Sequence, residues 1–364
     1  MKIAIIGFIN SGKTTLFNAL TGQALETTPY PTLAGAGEPH PGVVNVPDER
    51  VSRLSGIYKP KKTTYAAVEY VDYLGLTKGD PKQNAKVFGT IKDADALLHV
   101  VRAFEDPAVP HPFKGVDPLR DMSYLEQELV LGDLELVEKR FMRMEEGKKK
   151  GKKPNEAERE VLLKCKETLE NEVPLRDLEF SEDELKNIRH LEFVSVKPEV
   201  VVFNIPEDYL KEREKEAGEL LAGAREKLKG NTEALAVAGK IEMELAQLAP
   251  EEADAFLQDL GIEKPARARL IRTCYRLLDL ISFFTVGEDE VKAWTIRNGT
   301  TALKAAGKIH SDIEKGFIKA EVVHYEDFIK TGGMAEARRE GLLRLEGKTY
   351  IVRDGDIINF RFAI

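Results

Sequence analysis

The chain is poor in the residues that staple a fold or anchor it in a bilayer. Only two of its 364 residues are cysteine, Cys165 and Cys274, far apart and in no metal-ligand spacing. This argues against a disulfide scaffold or a zinc site and fits a reducing cytoplasm. Long apolar runs are missing too. No stretch approaches the ~20 apolar residues of a membrane span, and MKIAIIGF is too short and too soon interrupted for a secretory signal. Bases number 54 against 62 acids, a net charge of −8. A global grip on nucleic acid, or sequence readout of DNA, is therefore not expected, although a local basic patch is compatible with this balance. The six histidines share no spacing. His99, inside LLHVV, reads as a satisfied core residue, His310 as at most a surface contact, and the single tryptophan, Trp294, as core.

What is present begins at once. Gly7-Phe-Ile-Asn10-Ser11-Gly12-Lys13-Thr14 fits G-x-x-x-x-G-K-[ST], placed after the apolar run Ile3 to Ile6 and before the helical KTTLFNALTG. Glycines there let successive backbone N–H groups point inward at a helix N-terminus, a nest for phosphate. Asn10, Ser11, Gly12, Lys13, Thr14 and Thr15 are the expected cradle, with Lys13 reaching the β- and γ-phosphates and Thr14 ligating Mg²⁺. About sixty residues on, VEYVDYLGL places Asp72 at a strand's end with Gly75 in D-x-x-G spacing. Asp72 is expected to hold Mg²⁺ through water, and the Gly75 N–H to sense a γ-phosphate. Leu76 follows, where Ras-like enzymes carry the glutamine that orients water. Leucine cannot do that work, so hydrolysis is expected to be slow or to use another group. A base-reading loop is expected at Asn204-Ile-Pro-Glu207, which keeps the Asn and an acid of Asn-Lys-x-Asp. The longer glutamate would not reproduce the pairing with guanine. Ala238-Gly239-Lys240 is the expected last loop around the base.

At ~100–200 residues per domain, the length suggests two or three domains. KIAIIGF, TTYAAVEYVDYLG, ALLHVVRAFED, KPEVVVFN and NTEALAVAG read as strands alternating with helices, a parallel sheet covered on both faces. It is interrupted from Ser123. Apolar residues recur at Val130, Leu134, Val137, Phe141 and Met144, then at Leu162, Cys165 and Leu169 beyond the polar break EEGKKKGKKPN. That spacing predicts two long helices in an antiparallel hairpin. Its lysine run is either a solvated tip or a contact for phosphate backbone. From about 282 a small α+β module follows, ending in two strands joined by Asp-Gly-Asp, a hairpin signal. The expected division is 1–122 with 194–281 for the α/β domain, 123–193 for the hairpin and 282–364 for the module.

Taken together these residues resemble the YchF family, the Obg-like ATPases of the translation-factor class of P-loop proteins. The likeness runs nearly end to end: the loop with TLFNALTG, PGVVNVPDERV, HVVRAFED, GVDPLRD, the inserted hairpin and Asn-x-x-Glu. Its most specific part is VKAWTIRNGTTALKAAGKIHSDIEKGFIKAEV with LEGKTYIVRDGDIINFRF. The resemblance implies an α/β P-loop NTPase domain, the hairpin insertion and a C-terminal α+β TGS-like domain. It also implies a Mg²⁺-dependent NTPase that prefers ATP to GTP and associates with the ribosome or RNA in the cytoplasm, here expected as a monomer. Both switch regions depart from the family pattern. The metal-reaching threonine of the first falls on Ala36, with Thr32 the nearest substitute, and the glycine run of the second is absent from DYLGLTKGDPKQNAKVFGTIKDADA. A nucleotide-liganded scaffold with negligible turnover is the competing reading. A metabolic P-loop kinase would leave the D-x-x-G, the Asn-x-x-Glu and the terminal module unexplained.

Overall fold

A computed structural model describes residues 1–27, 39–153 and 155–363. Thr32 and Ala36 lie outside the described residues. The elements run β1 (Lys2–Ile6), α1 (Lys13–Thr21), β2 (His40–Asn45), α2 (Glu49–Tyr58), β3 (Lys62–Thr64), β4 (Ala67–Asp72), α3 (Pro81–Thr90) and β5 (Ala96–Arg102). There follow α4 (Pro118–Lys149), α5 (Glu156–Glu170), α6 (Glu182–Ile188), β6 (Glu199–Asn204), α7 (Glu214–Lys227), β7 (Thr232–Val237), α8 (Gly239–Leu245), α9 (Pro250–Leu260) and α10 (Ala266–Leu277). The chain continues with β8 (Leu280–Thr285), β9 (Glu290–Arg297), α11 (Ala302–Ile309), α12 (Ser311–Lys315), β10 (Phe317–His324), α13 (Tyr325–Thr331), α14 (Met334–Arg339), β11 (Arg344–Glu346) and β12 (Asp356–Phe362).

The chain forms two compact units: 1–43 with 69–270, and 44–68 with 271–364. The sheet of the first has the order β2-β4-β1-β5-β6-β7, with β4, β1, β5, β6 and β7 parallel. Every residue of β5 and β6 is buried, as parallel strands covered on both faces require. Strand β1 lies where the order reverses, β4 on one side and β5 on the other. The crevice beyond the carboxyl ends of strands at such a point is where open α/β sheets take ligands.

Helix α4 starts at Pro118, before the expected Ser123, because Asp117 caps it through the Arg120 N–H and proline fits its first turn. Its early residues Leu125 and Leu129 pack with Ala4, Ile6 and Leu97 of the sheet. Val130 and Val137 then meet Val161, Leu162, Cys165 and Leu169 of α5, with Leu134, Phe141 and Met144 along the flank. The apolar seam read from the sequence is therefore the hairpin's packing face. Each fully buried aliphatic on it contributes about 1.5–3 kcal/mol over exposure. Arg140 of α4 clamps the buried Glu158 of α5 at 2.6 and 2.8 Å. The hairpin belongs to the first unit and is not a compact unit of its own.

The second unit draws in more of the chain than 282–364. Residues 63–75, expected as one strand region, instead contribute to two strands, β3 and β4. β4 enters the first sheet, whereas β3 lies parallel to β9 at the edge of the second, whose order is β11-β10-β12-β8-β9-β3. Thr64 Oγ1 donates to Glu290 at 2.6 Å and Arg50 of α2 pairs with Asp354 at 2.7 Å, both within this unit. The terminal hairpin expected around Asp354-Gly-Asp356 does not form. Ile351 forms an isolated antiparallel bridge with Thr301 instead, and β12 pairs with β10 and β8. The reason lies in the aspartates: Asp354 accepts the Ser282 N–H, and Asp356 accepts the Arg353 N–H and the Tyr350 hydroxyl. Gly355, at φ 88°, makes a turn that serves these contacts and not a strand-to-strand reversal. Trp294 is half-buried, stacked on Phe283 at 6.3 Å, and its indole N–H donates to Thr285.

Candidate nucleotide site

The loop between β1 and α1 has the backbone that its glycines foreshadow. Gly12 sits at φ 90° and Asn10 at φ 65°, left-handed conformations that Gly adopts freely and Asn tolerates. A Cβ on Gly12 would collide with the Asn204 amide, so glycine is needed there for room as well. Residues 13–15 open α1, and their N–H groups have no acceptor inside the helix and carry the positive end of its dipole. The Asn10 amide donates to the Pro110 carbonyl at 3.0 Å and ties the loop to the segment after β5. Ser11 is buried and its hydroxyl oxygen has no partner.

Lys13 is buried, its ammonium donating to the Phe8 carbonyl at 2.9 Å. Burial lowers its pKa to about 8, against the pull of Asp72. The parallel register sets Asp72 level with Ile5, so its carboxylate arrives beside the loop. Thr14 Oγ1 donates to Asp72 Oδ2 at 2.7 Å, while Asp72 Oδ1 is buried without a partner. Burial raises the Asp72 carboxyl, and Lys13 and Thr14 pull it back. A hydroxyl and a carboxylate with an unused oxygen are hard donors that suit Mg²⁺. No group of three or more His, Cys, Asp or Glu offers a metal cage elsewhere among the described residues.

Gly75 passes close over the loop; a Cβ there would meet the Ile9 N and the Lys13 ammonium, each at 2.8 Å. Leu76 pairs with the loop backbone, its N–H donating to Gly7 O at 2.9 Å and its carbonyl accepting from Ile9 at 3.0 Å. Its side chain is 1% exposed, packed with Phe8, Val71 and Val87. Leucine at this position is thus a core residue that fixes the loop from behind.

Asn204 joins the site in a role that sequence reasoning did not assign. It is buried; its amide donates to the Ser11 carbonyl at 3.1 Å and its carbonyl accepts the Gly239 N–H at 3.0 Å. It therefore fastens the loop at 7–12 to the turn where Ala238 precedes α8. Ala238 is buried, whereas Glu207, in a 3-10 turn over Glu207–Leu210, is exposed. Thr15 is half-buried in the first turn of α1.

Two further clusters were not legible. Arg102, at the end of β5, donates to the carbonyls of Phe104, Asp106, Val109 and Pro110, shaping the segment that Asn10 grips. There His111 accepts the Phe113 N–H at Nδ1 and lies 3.1 Å from Asp121 at Nε2, so both ring nitrogens are engaged. Burial lowers the His111 pKa. Behind the sheet, His99 bonds Glu199 at 3.0 Å, and Arg176 bridges Glu199 to Glu126 of α4. Glu199 was a visible oddity, a charge opening an apolar strand, but its partners lie 23 and 100 residues away.

The comparisons with known proteins agree with this geometry. Residues 2–130 match the family model MMR_HSR1, described as 50S ribosome-binding GTPase, and residues 280–363 match YchF-GTPase_C, described as a protein of unknown function. The ribosome-binding ATPase YchF of Bacillus subtilis is 43% identical over 368 residues, covering 100% of both chains. Its counterpart in Escherichia coli O157:H7 is 41% identical over 367 residues, covering 100% of this chain and 99% of that one. The solved structure of the Schizosaccharomyces pombe YchF GTPase superposes with a TM-score of 0.83 at 31% identity, covering 99% of this chain and 97% of that one.

Proposed function

The chain belongs to the YchF family, and from that premise we propose that it is a Mg²⁺-dependent ATPase acting as a slow nucleotide switch on the ribosome. The observation that carries the reading is the convergence of Lys13, Thr14, Asp72 and Gly75 on one glycine-bent loop. The N–H groups of the loop and of the first turn of α1, from Asn10 to Thr15, cradle the β- and γ-phosphates. The Lys13 ammonium leaves the Phe8 carbonyl for the phosphate oxygens and stabilises charge that builds on the transferred phosphoryl group. Thr14 and Asp72 are the residues that would hold Mg²⁺, which when bound neutralises charge on the β- and γ-oxygens. The Gly75 N–H faces the γ-phosphate. Asn204 holds the base-side turn at Ala238 to the phosphate loop, and Glu207, replacing the aspartate of guanine-reading proteins, favours adenine over guanine.

Slowness follows from Leu76. Its side chain is in the core, so the position that orients water in Ras-like enzymes contributes nothing there. The same burial favours a second reading, a nucleotide-liganded ribosome-binding scaffold with negligible turnover. Affinities and turnover for ATP and GTP, with and without ribosomes, separate the two. Turnover above a Lys13→Ala control supports the ATPase; tight binding with none, even on ribosomes, supports the scaffold. Equal affinity for both nucleotides overturns the adenine preference.

A further inference from the structure

The far end of the helical hairpin carries a charge the rest of the molecule opposes. Lys148, Lys149, Lys150, Lys152 and Lys153 are all exposed, in a chain of net charge −8. None of the five has an ion pair or side-chain hydrogen bond among the described residues. This differs from the flanks of the hairpin, where Lys139 pairs with Glu135, Lys164 with Glu184 and Lys166 with Glu170.

The turn that presents these lysines is built, not slack. The Lys152 N–H returns to Gly147 O at 3.0 Å and the Gly151 N–H to Lys148 O at 3.0 Å, with Gly151 at φ 78°. That is a Schellman closure of α4, with glycine at the left-handed position. Lysines in the last turn complement the helix dipole, which accounts for Lys148 and Lys149 but not for Lys152 and Lys153 beyond it. At 1.5 Å per residue, the end of α4 stands about 18 Å beyond Val137, its last fully buried residue. The hairpin is thus a stiff arm with a fixed cationic end.

We propose that this end is an RNA-docking surface that grips the phosphate backbone of a helical segment without reading its sequence. The proposal deepens the ribosome reading above and rests on it for the source of the RNA. The composition of the tip selects the partner. From Glu145 to Lys153 there is no aromatic or aliphatic side chain, so nothing inserts into a bilayer or stacks on an unpaired base. There is no arginine for bidentate pairing with a base edge or a carboxylate either. Point cations on a rigid turn suit a closely spaced row of phosphates.

The test compares the full-length protein with Lys150→Glu/Lys152→Glu, and with Lys264→Glu/Lys348→Glu, two exposed lysines away from the nucleotide site, as an equal charge change elsewhere. Each is titrated against ribosomes and against a plain RNA duplex over a range of KCl, and its circular dichroism and ribosome-free ATP turnover are recorded. The tip variant is expected to lose at least tenfold in affinity at low salt for both RNA ligands. Its slope of log affinity against log salt should fall by about 1.5, since each lost phosphate contact removes roughly 0.7–0.9. Fold and basal turnover should stay unchanged, and the control pair should behave like the wild type. Ribosome binding that the tip variant retains in full overturns the docking surface while leaving the ribosome reading standing. Duplex binding that depends on the tip, with no ribosome binding by any form, overturns the ribosome reading and keeps the surface. Tip-dependent binding to phosphatidylserine vesicles as strong as that to the duplex overturns the choice of RNA.

Discussion

The Thr14 hydroxyl donates to Asp72 Oδ2 at 2.7 Å, which leaves the other oxygen of a buried carboxylate without a partner. Fifty-eight residues separate the two in the chain, and only the parallel pairing of β1 with β4 brings them together. An unsatisfied buried carboxylate oxygen costs free energy unless a cation completes it. Asp72→Asn should therefore remove the Mg²⁺ dependence of ATP binding and lower turnover by at least two orders of magnitude. Calorimetric titration with and without Mg²⁺, beside a turnover assay, checks both.

Lys13→Ala removes the buried cation of the loop. Loss of a charge-stabilising donor of this kind is worth about 2.7–4 kcal/mol, a factor of 10² to 10³ in turnover. Persistence of wild-type turnover in this variant removes the ATPase reading.

Restoring the glutamine of Ras-like enzymes should fail. Leu76→Gln places an amide among Phe8, Val71 and Val87 with no partner in sight. The expected result is a less stable protein, by roughly 2–3 kcal/mol, with no gain in turnover. Thermal melting and single-turnover kinetics on one preparation distinguish this from a gain of catalysis.

Asn204→Ala cuts the bridge from the Ser11 carbonyl to the Gly239 N–H. Because both contacts are to the protein, ATP and GTP should weaken alike, each by about 1–2 kcal/mol. A loss confined to one nucleotide would instead mean that Asn204 touches the base.

The Glu126–Arg176–Glu199 cluster sets a pH dependence. Burial and then the neighbouring Glu199 charge raise Glu126 to about 8, while Arg176 and His99 overcome the burial of Glu199 and hold it at about 2. A carboxyl raised in the folded state favours folding below its unfolded value of 4.5, and that contribution is lost as pH climbs through about 8. Stability should thus decline between pH 6 and 8.5, and Glu126→Gln should flatten the decline. Melting temperatures across that interval decide it, with an unchanged slope in the variant counting against the assignment.

Local chemistry made much of this legible. The strand–glycine loop–helix unit is contiguous, so its backbone conformations follow from residues within a dozen positions of one another. The hairpin seam was readable for a similar reason, since apolar spacing is a periodic signal and Val130, Val137, Leu162 and Cys165 pack as spaced. The Asp-Gly-Asp turn misled because Asp354 is taken by the distant Ser282 N–H, while Asp356 closes a local turn with Tyr350 and Arg353. Asn204, recognised as a motif residue, turned out to be a tether, a role invisible without its two partners.

By itself the sequence determined the phosphate loop, the helical arm and the family, because each rests on neighbours along the chain or on a motif of fixed spacing. The tertiary structure alone decided where Leu76 points, what Asn204 holds and to which sheet residues 62–64 belong. Those depend on strand register and burial, which are settled when segments dozens to hundreds of residues apart compete for the same hydrogen bonds and the same apolar space.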